Sequence, residues 1–390
     1  MKNYIRQFIK SRLPFFVIIF AILLIVAFCS ASATSFIEKY PMDTSNGFTV
    51  DSPEDLGLAY LPFTVCIICM LLPFFNMSYR YSLAKSDVYR QVAQSSKKFR
   101  YVDHGISLGF ILASYTIAFI AYVVTIAIRN QLQPVPEIAG YECYKIYLNY
   151  APFLLVHLMT LAFAAGNYFI TYLLISRSNS LLNSIVLLIF GQLFLASFCV
   201  LFAEMGGTNE NYFMLNPCAN ASISFGPTFI DTRYTYWIIQ GDSSYTYAVH
   251  QRYWSPGETE ALLTTVSSFV VFFLVALIGL ITFFFEKDPS GEYAGKPETN
   301  NIYQDLFYHA SVGSLGTLIF YQYLKYWNDG TGVTLVLFFA LFVAVYYVVY
   351  GLLRRNFKLK GHQIGTLLAN TALVIIMGII IFACNGFKPH

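Results

Sequence analysis

Apolar residues in this chain come in runs of about twenty, separated by polar segments of which two, 77–104 and 203–260, are long. Nine runs stand out, at about 13–33, 57–76, 105–128, 148–175, 181–202, 261–285, 305–324, 332–352 and 365–385. As helix, about twenty apolar residues cross the hydrocarbon core of a bilayer, and helix satisfies every backbone group internally. The pattern therefore predicts an all-α polytopic membrane protein with about nine transmembrane helices. The seventh run is the most interrupted, by His309, Ser311, Gly313, Ser314, Gly316 and Thr317, while Leu315, Leu318, Ile319 and Phe320 keep it apolar.

Composition agrees: 57% of the 390 residues are hydrophobic and only 12% charged, against about a quarter charged in soluble domains. The net charge of +3 is too small and too scattered for a nucleic-acid partner. Its distribution sets direction, because cytoplasmic flanks retain Lys and Arg. With the N-terminus cytoplasmic, segments 1–12, 77–104, 176–180, 286–304 and 353–364 hold 17 of the 24 Lys and Arg, and the outer segments hold 7. Glu38, Asp43, Asp51, Glu54 and Asp55 crowd the first outer segment. Nine crossings then leave the C-terminus, His390, outside, and the cell membrane is the expected location.

Residues 1–12 place Tyr4, Ile5, Phe8 and Ile9 on one helical arc and Lys2, Arg6 and Lys10 on the next, as an interfacial amphipathic helix does; a basic flank that only orients the first span reads equally well. The apolar run that follows lacks a clear small-residue cleavage pattern, so it is expected to be retained. Five spans then occupy 13–202, a loop rich in Tyr, Trp, Gly and Asn occupies 203–260, and four further spans fill 261–390. Aromatic residues with polar tips favour the outer interface, so the 203–260 loop is expected to lie against the leaflet or cap the spans, with re-entrant helices as one possible form. In the cytoplasmic segment 77–104, Tyr81, Ala84, Val88 and Val92 recur at helical spacing, which predicts an exposed amphipathic helix; a solvated basic loop that only holds topology reads about equally well.

Catalytic patterns are sparse. Cys66 and Cys69 form a C-x-x-C inside the second span, where small apolar packing is the expected role, and Cys143 and Cys218 lie in different outer loops. Gly291–Pro297 misses the phosphate-loop spacing, and Pro297 stands where a magnesium-holding hydroxyl belongs. The chain is thus not expected to hydrolyse ATP, to bind a metal or to carry a cofactor of its own. Polar residues inside the runs include His157, Asn167, Asn183, Gln192, Glu204 and His309. Of these, His157, Asn167, Gln192 and His309 are the candidates for a translocation path, with interhelical hydrogen bonding as the plainer role.

Three stretches carry a family resemblance. Tyr79-Arg80-Tyr81-Ser82 followed by Ser86-Asp87-Val88-Tyr89, Ser290-Gly291-Glu292-Tyr293-Ala294-Gly295 after the sixth span, and Arg354-Arg355-Asn356-Phe357 after the eighth resemble permease subunits of type-2 ABC exporters from Gram-positive bacteria. Arg90-Gln91-Val92 replaces the His-Ser-Leu-Pro ending usual in that group. The resemblance implies a membrane subunit whose 77–104 segment docks into a separate soluble ATPase through Tyr81, Asp87, Val88, Tyr89 and Arg90, with ATP bound by that partner and a second permease copy or a related permease completing the exporter. The alternatives are a secondary transporter, for which intramembrane ion-coupling residues are few, and a membrane sensor or immunity protein that binds a peptide through its aromatic outer loop.

Overall fold

The computed structural model describes residues 2–33, 37–41, 60–78, 96–132, 141–147, 151–176, 178, 180–205, 233–240, 243–249, 258–285, 302–325, 337, 340–341, 344–345, 347–348, 351 and 361–384. The apolar runs are helical: α1 (Lys2–Ala33), α2 (Tyr60–Asn76), α3 (Ser96–Leu132), α4 (Ala151–Ser176), α5 (Leu181–Met205), α6 (Glu258–Phe285), α7 (Ile302–Lys325) and α8 (Gly361–Cys384). The described residues of the 332–352 run, among them Leu337, Leu341, Val345 and Val348, are helical as well. Three helical segments, Asn3–Ala33, Lys98–Leu132 and Val156–Ser176, are long and apolar enough to cross a membrane. Lys2–Arg12 runs into the first apolar run as one helix, with Pro14 inside it.

Four strands join the helices, an element that the run pattern does not predict. They are β1 (Ile37–Pro41), β2 (Tyr141–Tyr147), β3 (Arg233–Gln240) and β4 (Ser243–Val249), in one antiparallel sheet of order β1-β2-β3-β4. The sheet unites the connections that follow α1, α3 and α5, and β3 and β4 fall within the 203–260 loop.

The chain divides into two compact units, Met1–Met70, Val102–Ala165 and Cys218–Pro256 forming one, and Leu71–Tyr101, Gly166–Pro217 and Gly257–His390 the other. In the first unit α1 and α3 lie parallel. Tyr4 Oη donates to Asp103 Oδ1 at 2.7 Å, the Phe16 and Phe110 rings stack at 4.5 Å, and Arg129 Nη1 donates to the Ala31 carbonyl. From Tyr4 to Ala31 a helix advances about 40 Å, which covers a hydrocarbon core and its headgroups. No charged residue stands between Gly105 and Ile128. Leu23, Ala27 and Ala31 of α1 are fully buried, yet the opposite face is just as apolar, with Val17, Ile18 and Ile25 exposed. Helices apolar all round belong in lipid or deep in a core. The N-terminal half of α4 returns antiparallel along α3, with Tyr122 against Phe153 and Tyr115 against His157.

In the second unit, Ser180 caps α5: its Oγ accepts from the Asn183 backbone N–H at 3.2 Å, and its carbonyl accepts from the Ser184 N–H at 3.0 Å. The close contacts between helices again run in register. Phe272 and Ala276 of α6 press on Gly166 of α4, Gly279 presses on Phe169 and Phe283 on Tyr172, so α4 and α6 are parallel. Phe190 with Tyr308 and Ser197 with Ser314 make α5 and α7 parallel. Gly313 with Asn370 and Phe320 with Gly378 do the same for α7 and α8. Small residues allow these approaches, as they do generally where the hydrophobic effect cannot drive helices together.

Candidate functional site

Buried polar side chains inside apolar helices are the natural place to look for function, since each needs a partner or a purpose. In the first unit the main one is His157, on α4. Its ring is stacked between Tyr115 at 5.2 Å and Phe119 at 4.9 Å, both from α3. Tyr115 is fully buried and Phe119 nearly so. Thr116 gives its single hydroxyl proton to the Leu112 carbonyl at 2.9 Å, so its oxygen can only accept from His157 Nε2, which stands 3.5 Å away. That assigns the Nε2–H tautomer and leaves Nδ1 as an acceptor, buried and without a hydrogen-bond partner among the described residues. The geometry can accept a proton or a donor group at Nδ1 while aromatic faces hold the ring in place.

This cage carries a stability prediction. His157→Phe preserves both ring contacts and removes the unmatched acceptor, whereas His157→Ala loses two contacts, about 1–3 kcal/mol. Thermal unfolding of the purified chain in detergent should rank wild type and His157→Phe together, with His157→Ala clearly below. Equal melting of the two variants would show that the stacking contributes little.

Asn167, Gln192 and His309 belong to the second unit and stand on three helices, α4, α5 and α7. Asn167 is fully buried. Gln192 Nε2 is buried with no partner among the described residues, and the hydroxyl of Thr171, a fully buried residue of α4, is in the same position. His309 packs edge-on against Tyr308, and its carbonyl accepts from Asn370 Nδ2 at 3.1 Å. The polar residues that interrupt the seventh run are mostly buried: Ser311, Ser314 and Thr317 are enclosed, Ser314 bonding to Ser197 and Thr317 donating to the Gly313 carbonyl at 2.8 Å. Their chemistry is interhelical and intrahelical hydrogen bonding.

Ser197, Asn370 and Thr171 were not among the sequence candidates. The small-polar spacing of Ser311, Ser314 and Thr317 is the signal that points to a polar seam on α7, but nothing in the sequence says which helices meet it. Cys66 and Cys69 are buried with free thiols, while Cys218 lies outside the described residues. Tyr81, Asp87, Val88, Tyr89 and Arg90 also lie outside the described residues. Among the described residues, no three His, Cys, Asp or Glu side chains are grouped to hold a metal. Compared with known protein families, with curated proteins and with solved structures, the chain matches none.

Proposed function

We propose that the chain is the permease subunit of an ATP-driven exporter of the type-2 ABC kind, with nine crossings, a cytoplasmic N-terminus, an outer C-terminus and a separate soluble ATPase. The exporter reading rests on the family resemblance at residues 79–89, 290–295 and 354–357; the direction of helix packing supports the alternating crossings that it assumes. With the nine predicted spans numbered in order, the parallel pairs are the first with the third, the fourth with the sixth, the fifth with the seventh and the seventh with the ninth. Each pair has one span between its members in the sequence, as strict alternation across a bilayer requires. The sheet supports the same parity, since it joins the connections after the first, third and fifth spans. In that arrangement the basic segment 77–104 shares a side with the N-terminus, where a soluble ATPase can reach it.

In the mechanism, ATP binding closes two ATPases, the docked segments move with them, and rigid-body tilting of the helices alternates access at the interface of two permeases. Tyr81, Asp87, Val88, Tyr89 and Arg90 make the contact, and His157, Asn167, Gln192 and His309 are the polar groups available to a path through the helices. Pull-down of the tagged chain from its native membrane tests this: an ATPase should copurify in about equal amount and hydrolyse ATP. Asp87→Ala with Tyr89→Ala should abolish that association while membrane insertion persists. Retained association removes the docking assignment, and a wild-type chain that brings down no ATPase removes the exporter reading.

A further inference from the structure

Two polar groups of the second unit take no part in the hydrogen bonds that join its helices. In a helix a threonine hydroxyl commonly turns back to the carbonyl four residues earlier. Thr64, Thr116, Thr125, Thr160, Thr282 and Thr317 all do so, at 2.7–2.9 Å. Thr171 of α4 does not: the residue is fully buried, and its Oγ1 has no hydrogen-bond partner among the described residues. Gln192 of α5 is in the same state, with Nε2 buried and unpartnered. The amide nitrogen carries two donors, and the hydroxyl one donor and two acceptor sites.

The two groups stand at one place. Residues 177–180 join α4 to α5, so the helices run antiparallel. They approach closely at Gly191, where an added Cβ would come within 2.6 Å of Leu174 Cδ1. Thr171 lies one turn before Leu174 on the same face of α4, and Gln192 directly follows Gly191. From that contact both displacements point the same way along the pair, about 4.5 Å on α4 and about 1.5 Å on α5, so Thr171 and Gln192 differ in level by about 3 Å. Asn167, also fully buried, continues the same face of α4 one turn beyond Thr171.

We infer that Thr171 and Gln192 hold a water molecule between α4 and α5, inside the span. Val156–Ser176 is long and apolar enough to cross a membrane, and hydrocarbon offers neither group a partner. The two groups do not bond each other, so a bridging molecule is what satisfies both. Water is the smallest molecule that accepts from the amide while it donates to or accepts from the hydroxyl. Held there, it ties the α4–α5 pair together through polar groups. The site needs no ATPase and no substrate, so it stands or falls apart from the exporter reading.

Two measurements on the full chain in detergent test it. Thr171→Val and Gln192→Leu, which keep the shape and remove the polar groups, should each lower the melting temperature by about 2–4 °C, because each strands the other group and the water. The double variant should lose less than the sum of the two. A rise in melting temperature for either single variant, or additive losses, would overturn the proposal. X-ray radiolysis makes hydroxyl radicals from water where it is bound, and Leu174, only 1% exposed, is shielded from bulk solvent. Leu174 should be oxidised in the wild type, and the double variant should lose that oxidation. An unlabelled Leu174 in the wild type would overturn the water site in favour of a direct bond between the two side chains, and equal labelling in the double variant would show that neither group holds the water.

Discussion

Gly279→Leu is expected to yield little or no monodisperse protein, and Gly279→Ala to lower the stability of the purified chain by about 1–3 kcal/mol. A Cβ added at Gly279 would fall on the carbonyl oxygen of Phe169, with the carbonyl carbon 2.6 Å away and Ile170 N at 3.3 Å. The obstacle is backbone in the middle of α4, so no side-chain rotation relieves it. α4 and α6 would have to separate, which also removes the contact of Phe272 with Gly166 one register step away. Gly109→Ala in α3 is the matched control. Nothing lies within 4 Å of the position a Cβ would take at Gly109, so alanine there should be neutral or stabilising by up to about 1 kcal/mol through helix propensity. Size-exclusion profiles and thermal unfolding in detergent check both, and equal behaviour of Gly279→Ala and Gly109→Ala would refute the close α4–α6 approach.

Phe283→Ala should cost about 3 kcal/mol, near the low end for deleting a buried aromatic ring, because in lipid the loss comes mainly from packing. Phe283 is 7% exposed and belongs to a core cluster with Met77, Tyr172 and Ile175. Its ring meets Tyr172 at 5.1 Å, Tyr101 at 5.4 Å and Phe169 at 5.8 Å, and the buried Arg100 guanidinium lies 5.8 Å from its centroid. Removing the ring opens a cavity and strips a cation of an aromatic face at once. Phe283→Leu should recover part of the loss. Ile281→Ala, an exposed position two residues away, should change stability little. Denaturant unfolding followed by circular dichroism measures all three; equal effects at 281 and 283 would dissolve the cluster.

Both predictions depend on which helices meet, and this separates what is legible in the chain from what is not. Length and apolarity of each run suffice to set a helix, because a twenty-residue apolar stretch has one way to satisfy its backbone in lipid. Every predicted run is accordingly helical in its described residues, including the polar-interrupted seventh. The strands do not follow from the apolar runs because Tyr234-Thr235-Tyr236 and Tyr245-Thr246-Tyr247 alternate with a period of two and form no apolar run. The docking segment at 81–90 rests on the family resemblance, and its test is biochemical.

By itself, the sequence determined the apolar, membrane-type composition and the positions of the helices. These are local properties: a run of side chains meets lipid or water regardless of what packs beside it. Only the tertiary structure decided that α1 lies along α3, that Gly279 meets the backbone of α4, that two aromatic rings clamp His157, and that strands from three separate connections pair in one sheet. Helices apolar on all sides do not announce their partners, since lipid and a neighbouring helix are equally apolar surroundings. Shape, close approach of glycines and strand register made those choices, and each depends on residues far apart in the chain.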